Sequence, residues 1–410
     1  MKPTAVNSLA EPFTLPNGTI LANRIVKASM SECLGDFGFA PGARHVRLYR
    51  RWADSGASVL ITGNIMVDRT AVAEVGNVVV DDERDLAVLN EWSTAAKSGG
   101  AQVWAQINHP GRQIPATLNS SPVGPSAIRL TGSAGAYRTP RELTDSDITA
   151  LIGKFAETAR ILVEAGFDGI EIHAAHGYLI GQFLSPATNV RTDRWGGSRD
   201  NRQRFLLEIV RAVRAAIGPA TPLAVKLNSA DFQRGGFGED DSAAVARALD
   251  AESIDLLEIS GGTYESVAFM GDTRPKASTL DREAYFLEFA EQIRADISTP
   301  LLLTGGFRTA EGTGAAITSG AVDLVGIARP MALQPDFPRH LLAGTTPATI
   351  ARQRNTGIKR IDGLGNIVWH TTQLWRLGDG KDPAPERSPY LTIAHYLSRT
   401  VPYTLYRLTR

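Results

Sequence analysis

Two imidazoles and a phenol lie within six residues of one another, directly after a short apolar run. The run contains Ile170 and Ile172, and the polar side chains are His173, His176 and Tyr178. β-Branched residues favour a buried strand, and the polar residues begin where that strand is expected to end. In a barrel of alternating strands and helices, side chains at the carboxyl ends of the strands line the active-site mouth. Two ring nitrogens and a phenol at such a place can bind a carbonyl oxygen and protonate its neighbour, so we expect an enzyme.

Other interpretations of these three residues remain open from their types alone. His173-x-x-His176 is a spacing that can ligate zinc, but no Glu lies between the histidines and no third ligand is obvious nearby. One histidine can instead be a hydrogen-bonded core residue, and a lone tyrosine such as Tyr178 is more often core packing than an acid. No metal site is predicted.

Glycines and arginines follow two consecutive apolar runs in the last third of the chain. They are Gly305, Gly306 and Arg308 after one run, and Gly326 and Arg329 in and after the next. Glycine lets backbone N–H groups approach a phosphate closely, and a helix start adds about half a positive charge. Each motif alone is more often only a tight turn beside a surface charge. Two of them on consecutive strands favour a phosphate, and a mononucleotide cofactor explains it more economically than a phosphorylated substrate.

A second polar group is expected at the same mouth. Its members are Ser29, Met30 and Ser31 after the first predicted strand, Gln106 on the third and Lys226 on the fifth. An amide, a hydroxyl and a cation suit the edges of a heterocycle such as a flavin, and a fixed cation stabilises its reduced form. The equal alternative for Lys226 is an ion pair with a buried carboxylate, for example Glu171 or Glu258.

The elements that must position these residues alternate regularly along the chain. Strands are predicted at residues 24–29, 58–62, 101–106, 169–173, 223–228, 256–260, 301–304 and 324–327, and helices at 43–55, 86–97, 144–165, 201–217, 240–251, 282–297 and 310–319. Eight strands with helices between them predict an α/β protein with the TIM (β/α)8 barrel fold. A doubly wound open sheet is the runner-up, but it wants a glycine-rich turn after its first strand, and residues 27–30 contain no glycine.

Three segments fall outside the eight strand–helix units. A hairpin turning at Asn17-Gly18 precedes the barrel. Residues 108–143 form a long loop after the third strand, rich in Gly, Pro and Ser, and loops of that length are typically lids or binding loops. We therefore predict a barrel over residues 1–345 and an extension over 346–410, packed on the barrel or on a neighbouring subunit.

Composition excludes several classes of protein. The 43 Lys and Arg residues balance 43 Asp and Glu residues, which argues against electrostatic capture of nucleic acid or an anionic membrane. One cysteine, Cys33, excludes an internal disulfide framework, and its lack of a cationic neighbour favours an inert thiol. The sequence shows neither a signal-peptide core nor an apolar run of about 20 residues. A cytoplasmic enzyme is expected, with a homo-oligomer left open.

At this point the chain resembles the old yellow enzyme family, which comprises FMN-dependent ene-reductases and NADH:flavin oxidoreductases on a TIM barrel. The resemblance covers roughly residues 10–345. Its motifs include Asn23-Arg-Ile-Val, Gln106-x-x-His109-x-Gly-Arg112 and Gly124-Pro-Ser126. The most specific are His173-Ala-Ala-His176-Gly-Tyr178-Leu and the run Phe183-Leu-Ser-Pro-x-x-Asn-x-Arg-x-Asp-x-Trp-Gly-Gly-Ser-x-x-Asn-Arg202.

The resemblance implies non-covalent FMN and a role for each cofactor residue. Gln106 would bind the pyrimidine edge of the ring, and Lys226 would replace the family's usual Arg near N1. Backbone around Ser29 and Met30 would contact the ring, and Asn64 would approach O4 and N5. Ser31 stands where relatives have Thr or Cys, a position that tunes the flavin through O4. The phosphate would be held by Gly305, Gly306, Arg308, Gly326 and Arg329.

The resemblance also implies a reaction. NADH or NADPH would supply hydride, and a small enone or enal would receive it. His173 and His176 would bind the substrate carbonyl, and Tyr178 would protonate the α-carbon. Two other functions are carried as alternatives: a flavin-free barrel aldolase or isomerase using Lys226 as a Schiff base, and a non-catalytic flavin-binding protein.

Overall fold

Eight parallel strands close into a barrel in the computed structural model, which describes residues 5–130, 136–262, 284–345 and 356–408. Each strand pairs in parallel with the next, and Gly326 on the last strand pairs with Val26 on the first. The TIM barrel prediction is confirmed. The strands are β1 (Ile25–Lys27), β2 (Val59–Ile61), β3 (Gln102–Asn108), β4 (Gly169–Ala174), β5 (Leu223–Asn228), β6 (Leu256–Ser260), β7 (Leu301–Thr304) and β8 (Leu324–Ile327).

Helices follow the strands in chain order. Local capping explains several starts, since Thr144, Ser198 and Thr309 each accept a backbone N–H from the residue three positions on. The helices are α1 (Ala43–Ala53), α2 (Leu86–Lys97), α3 (Asp145–Glu164), α4 (Arg199–Ile217), α5 (Glu239–Ala251), α6 (Leu287–Arg294), α7 (Ala310–Thr318) and α8 (Phe337–Leu342). None of the helices in the described ranges is long and apolar enough to cross a membrane.

Several boundaries differ from the sequence prediction, among them those of β3 and α6. Strand β3 runs two residues further than expected, because the short strand Ile65–Met66 pairs with its last two residues. Helix α6 is shorter than the predicted 282–297, and residues 282–283 lie outside the described residues. Shorter elements complete the fold: helices Ala5–Ala10, Leu179–Leu184 and Pro330–Leu333, the 3-10 turn Glu83–Asp85, and a strand pair Val123–Gly124 with Arg141–Glu142 in the long loop.

The amino-terminal hairpin closes one end of the barrel. Strands Phe13–Thr14 and Ile20–Leu21 pair antiparallel, and Gly18 takes the left-handed backbone conformation (φ 87°) that the turn requires. Leu15 and Leu21 are buried in the same apolar cluster as interior residues of the barrel strands. Because this end is filled, the carboxyl ends of the strands remain as the place for a site.

The residues after the barrel form two further helices, α9 (Lys359–Gly378) and α10 (Pro389–Leu408). The Trp375 indole N–H lies 3.0 Å from the carbonyl oxygen of Glu32 and 2.9 Å from that of Cys33. The Arg44 guanidinium on α1 donates to Asp379 at 2.8 Å. These contacts fasten the extension to α1 and to the loop that follows β1.

Candidate active site at the carboxyl ends of the strands

Strand β4 delivers the two histidines and the tyrosine to the mouth. Alternation along the strand points Ile170 and Ile172 towards the helices, so His173 faces the barrel interior. The chain then turns at His176, whose φ of 58° is left-handed and whose N–H donates to the Asn228 side chain at 3.2 Å. A non-glycine residue held in that conformation is typical of functional sites.

The three rings predicted from the sequence lie together. The His173 ring centroid is 5.0 Å from that of His176 and 4.9 Å from that of Tyr178, with interplanar angles of 77° and 88°. Edge-to-face packing of this kind fixes ring orientation. His173 and Tyr178 are buried, and His176 is half-buried. The predicted convergence of these groups is therefore observed.

Both histidines are neutral at physiological pH. Burial, helped by the charge of Lys226, lowers the pKa of His176 to about 3, and burial lowers the pKa of His173 well below its usual value. The Nδ1 atom of His173 accepts the Ala175 N–H at 3.2 Å, so its proton resides on Nε2. The Nε2 atom of His176 lies 3.0 Å from the Ser260 hydroxyl. A neutral N–H donor at the mouth is available from His173.

A buried polar network lies beneath the rings. The Lys226 Nζ contacts the Glu258 carboxylate at 2.6 Å, and the Gln106 amide donates to Glu171 at 2.6 Å. Burial, and after it the charge of Glu258, raise the pKa of Glu171 well above the usual value, which favours a protonated Glu171 beside Glu258. Burial alone would raise the pKa of Glu258, but Lys226 and the hydrogen bonds to Glu258 outweigh burial and lower it to about 2. The ion pair foreseen as the alternative for Lys226 is thus present, with Glu258 as its partner.

Two hydrogen bonds join the remaining ring-end residues. The Ser29 hydroxyl donates to the Gln106 side-chain oxygen at 2.8 Å, and the Ser31 hydroxyl donates to the Asn64 side-chain oxygen at 2.7 Å. Met30, between the two serines, packs against the apolar core. The loops after β1 and β2 and the end of β3 are therefore brought together as predicted.

The glycines of the phosphate end have conformations that other residues avoid. Gly305 has φ 149° and Gly306 has φ 86°, and a Cβ on Gly306 would lie 3.0 Å from the Tyr285 ring. Gly326 faces Thr304 across the strand pair, where a Cβ would overlap the threonine hydroxyl. The segment that contains Gly305 and Gly306 leads into helix α7, whose amino-terminal end is capped by Thr309.

The two arginines predicted for this end lie near the surface. Arg308 donates to the Tyr285 hydroxyl at 2.9 Å, and Arg329 is exposed immediately before the short helix Pro330–Leu333. Arg329 is close enough to His370 on α9 for its charge to contribute, after burial, to lowering the pKa of that imidazole to about 4. Both arginines therefore lie near the segments of Gly305–Gly306 and Gly326, in which the glycines contribute only backbone atoms.

The donor set fits a flavin mononucleotide. Asn108 lies on the same face of β3 as Gln106, is buried, and has neither side-chain atom hydrogen-bonded among the described residues. A buried amide left unpaired is costly, so a ligand that bonds it there would remove the penalty. Hydroxyls, amides and a lysine suit the edges of the ring, and the glycine segments with two arginines suit a phosphate. In the described ranges no group of three or more His, Cys, Asp or Glu is arranged to hold a metal ion.

Four residues at or behind the mouth were missed or given no role from the sequence. Glu32 accepts the Gly63 N–H at 2.8 Å and the Tyr49 hydroxyl, which ties the loop of Ser31 to the loop of Asn64. Ser260 bonds His176, and Asn108 carries the orphaned amide. Tyr403 on α10 belongs to the apolar cluster that contains Tyr178. The position of Ser260 and Asn108 at strand ends was an available signal, whereas nothing local marked Glu32 or Tyr403.

Comparison with known proteins agrees with this geometry. The family model described as "NADH:flavin oxidoreductase / NADH oxidase family" matches residues 8–346. A barrel with a flavin-type site and a match of this extent define the class as FMN-dependent oxidoreductases of the old yellow enzyme type. The chain belongs to the NADH:flavin oxidoreductase / NADH oxidase family, and it uses FMN with NADH or NADPH.

Some proteins similar to this chain are named for NADH and others for NADPH. The chain is 38% identical over 355 residues to the NADH-dependent flavin oxidoreductase iliE of Hypocrea jecorina (strain QM6a), covering 81% of this chain and 88% of the relative. It is 34% identical over 342 residues to an NADPH dehydrogenase of Geobacillus sp. (strain WCH70), covering 80% of this chain and 92% of the relative.

Solved structures of the same type superpose on the barrel. The old yellow enzyme homologue from Zymomonas mobilis has a TM-score of 0.72 at 26% identity, covering 83% of this chain and 95% of the other. Morphinone reductase in complex with tetrahydroNAD has a TM-score of 0.69 at 25% identity, covering 85% and 93%. Tetrahydro-NAD is a ligand of that protein.

Proposed function

We propose that this oxidoreductase is an ene-reductase that takes hydride from NADH or NADPH and reduces the activated C=C bond of a small enone or enal by a ping-pong mechanism. The observation that carries the proposal is the cluster of two neutral imidazoles edge-on to one buried phenol, with the His173 proton on Nε2. This cluster lies at the strand ends, directly above the polar network that fits a flavin.

The histidines bind the substrate carbonyl in this proposal. Addition to the β-carbon places negative charge on the carbonyl oxygen, so donors there stabilise the transition state more than the ground state. His173 offers its Nε2–H directly. His176 offers Nε2–H once it exchanges its contact with the Ser260 hydroxyl for the ligand oxygen. Removing one such donor typically costs about 10²–10³ in rate.

Tyr178 is the proposed proton donor to the α-carbon. Its ring stands perpendicular to that of His173, which holds the phenol beside the carbonyl site. An unperturbed phenol is protonated at neutral pH and therefore carries a proton to give.

Bound FMN would supply the hydride-transfer chemistry between the nicotinamide and the β-carbon. Gln106 and Asn108 would present amides to the ring, and Ser31 with Asn64 would present a hydroxyl and an amide to its edge. Lys226 supplies a cation whose position is fixed by Glu258. Gly305, Gly306, Arg308, Gly326 and Arg329 are the proposed phosphate ligands, and Ser29 and Met30 are the proposed backbone contacts.

Two observations argue against the alternative functions. A Schiff-base lysine must become neutral and reach its substrate, whereas Lys226 is buried in a 2.6 Å ion pair with Glu258. A pure flavin carrier has no use for a proton donor beside two carbonyl-binding imidazoles. We therefore retain neither the aldolase nor the non-catalytic protein.

The two-unit division of the chain is part of the same proposal. The barrel over residues 1–345 would carry the cofactor and catalytic groups, and the described helices α9 and α10 of the extension over 346–410 would lie against one side of the mouth. Trp375 supports it by bonding the backbone after Ser31, and Tyr403 by packing in the cluster of Tyr178. A reducing compartment such as the cytoplasm remains the expectation from a single cysteine.

The test is anaerobic stopped-flow on the FMN-loaded protein, with NADH or NADPH in one half-reaction and 2-cyclohexenone in the other. We expect bleaching of the flavin by the nicotinamide and its return with cyclohexanone as product. His176→Asn should slow the second half-reaction by about 10²-fold, the low end of losing one oxyanion donor. His340→Asn, which removes an exposed imidazole on α8, is the matched control. If NADH or NADPH reduces the flavin of the wild type but no enone reoxidises it, the protein is not an ene-reductase.

A further inference from the structure

Side chains from three other parts of the barrel hold His176 in place. Its backbone N–H donates to the Asn228 Oδ1 at 3.2 Å, and its carbonyl oxygen accepts from the Gln113 amide at 3.1 Å. Its ring contacts the Ser260 hydroxyl at 3.0 Å. The φ of His176 is 58°, which a non-glycine residue keeps only where its surroundings enforce it. These contacts therefore hold the turn against relaxation.

The Asn228 side chain uses both ends of its amide. Its Nδ2 donates to the Asp231 carboxylate and to the Gly262 carbonyl oxygen, both at 3.0 Å, while its Oδ1 accepts from His176. The partners decide which end of an amide is the donor. A carbonyl oxygen and an ionised carboxylate only accept hydrogen bonds, so the nitrogen faces them and the oxygen faces His176. Asp231 and Gly262 thus fix the orientation of Asn228.

Asn228 also lies where it can act on the site. It is the last residue of β5, two residues after Lys226, and alternation along the strand places both on the face that lines the barrel interior. Asn228 pairs in register with Ser260 on β6, so the supports of the His176 backbone and ring are neighbours. Asn228 and Asp231 are only 2% and 5% exposed, which protects their bond from competing water.

We propose that Asn228 is a positioning residue, which fixes the backbone of His176 and so aims the imidazole Nε2 at the substrate carbonyl oxygen. This inference rests on the proposed function, in which His176 binds that oxygen. Without the Asn228 amide, the turn relaxes towards an ordinary backbone conformation and the ring leaves its place beside His173. Because Asn228 acts through His176, its loss should matter only while the imidazole is present.

The first test is a double-mutant cycle on the FMN-loaded protein, in which 2-cyclohexenone at several concentrations reoxidises the reduced flavin. Asn228→Ala should slow this half-reaction by up to about 10²-fold, the cost of misplacing a group by about 1 Å. In the background of His176→Asn, Asn228→Ala should cost less than about twofold more, since no imidazole is left to misplace. Asparagine tolerates the left-handed conformation, so the turn itself is kept. Full slowing in both backgrounds would overturn the proposal.

Asn23→Ala is the matched control for a loss that is only structural. Asn23 is also a buried amide, which donates to the Gly56 carbonyl oxygen at 2.9 Å and accepts the Ile25 N–H at 3.0 Å. It precedes β1 and therefore lies at the opposite end of the barrel. Asn23→Ala should lower the thermal stability, as Asn228→Ala does, but leave reoxidation within about twofold of wild type. Equal slowing by both substitutions would make Asn228 a structural residue.

An exchange of the two side chains keeps the test decisive if Asn228→Ala folds poorly. Asn228→Asp keeps an oxygen for the His176 N–H but places two carboxylates side by side, so reoxidation should be slow. Asn228→Asp/Asp231→Asn restores the amide–carboxylate bond with its ends exchanged, and should recover at least about tenfold of the lost rate. If the exchanged pair is no faster than Asn228→Asp, the proposal is wrong.

The outcomes separate this inference from the proposed function. If His176→Asn leaves reoxidation unchanged, the histidine does not bind the carbonyl, and both the function and the inference fail. If His176→Asn slows reoxidation but Asn228→Ala does not, His176 keeps its role and only the role of Asn228 is wrong.

Discussion

The two ends of the candidate site differ in the groups that form them: buried, bonded side chains at the ring end, and glycine backbone with arginines at the phosphate end. At the ring end, Glu171, Lys226 and Glu258 are buried, with Lys226 paired to Glu258 and Glu171 bonded to Gln106, beneath the rings of His173, His176 and Tyr178. At the phosphate end, glycine backbone forms the segment and Arg329 is exposed. The difference follows the chemistry. Groups that act on a developing charge need fixed positions, whereas a phosphate dianion is bound by backbone N–H groups and cations that adjust to it.

The largest effect is expected at the phosphate end, because both arginines lie beside the glycine segments that we propose bind the phosphate. Arg308→Ala/Arg329→Ala removes two charge-assisted contacts of about 1.5–3 kcal/mol each, so FMN affinity should fall by about 10²–10⁴. Fluorescence titration of apoprotein with FMN measures it. Arg211→Ala/Arg247→Ala, which breaks two exposed ion pairs on α4 and α5, is the control and should bind FMN normally. Full flavin occupancy in the first variant would remove the phosphate assignment.

The next effect concerns the buried network and should appear as lost stability. Glu258→Gln leaves Lys226 buried without its carboxylate, and breaking a buried pair typically costs about 3–5 kcal/mol. Glu252→Gln breaks an exposed pair with Arg211, worth about 0–1 kcal/mol. Thermal unfolding of the two apoproteins should show a clear drop only for Glu258→Gln. Similar small shifts in both would mean that the ring end is no more preorganised than the surface.

Ser31 should produce a smaller effect, on the flavin rather than on the fold. Ser31→Ala removes a hydroxyl that bonds Asn64 at 2.7 Å and that we assign to the flavin O4 edge. A bond of about 0.5–1.5 kcal/mol that favours the reduced ring corresponds to a potential lower by about 10–30 mV. Dye equilibration measures it, with Ser98→Ala after α2 as control. An unchanged potential would place Ser31 outside the flavin contacts.

The smallest effect predicted is an absence of pH dependence. Because the pKa of His176 is about 3 and that of His173 lies well below the usual value, neither ring gains a proton as pH falls from 8 to 6. Reoxidation of reduced enzyme by an enone should therefore show no step near pH 6.5, where an exposed imidazole titrates. A loss of rate on one side of pH 6.5 would show that an imidazole of ordinary pKa carries the carbonyl.

Much of the barrel could be predicted because its strands are short, apolar and sharply bounded. Strands β5, β6, β7 and β8 have the predicted bounds, since the buried runs of β5, β6 and β7 end at a polar residue and that of β8 ends two residues before Arg329. The strand Ile65–Met66 was not foreseen. It forms only through pairing with the end of β3, and two residues carry no periodic signal of their own.

The candidate site also contains residues that could be predicted from the sequence and contacts that could not. His173, His176 and Tyr178 were identifiable because all three are local to one strand end. The contact of His176 with Ser260 joins residues 84 apart, and Trp375 reaches the carbonyls of Glu32 and Cys33 from about 340 residues away. No local pattern encodes such partners, because they depend on which loops the closed barrel brings together.

The central claim is that Tyr178 gives a proton to carbon after the flavin has been reduced, and Tyr178→Phe tests it most directly. In anaerobic stopped-flow, reduction of the variant's flavin by NADH or NADPH should stay within about twofold of wild type, while reoxidation by 2-cyclohexenone slows by about 10²–10⁴, the usual contribution of a general acid. Tyr285→Phe, which removes an exposed phenol at the phosphate end, should leave the second half-reaction unchanged. Equal slowing of both half-reactions in Tyr178→Phe would contradict the account and make the tyrosine a packing residue.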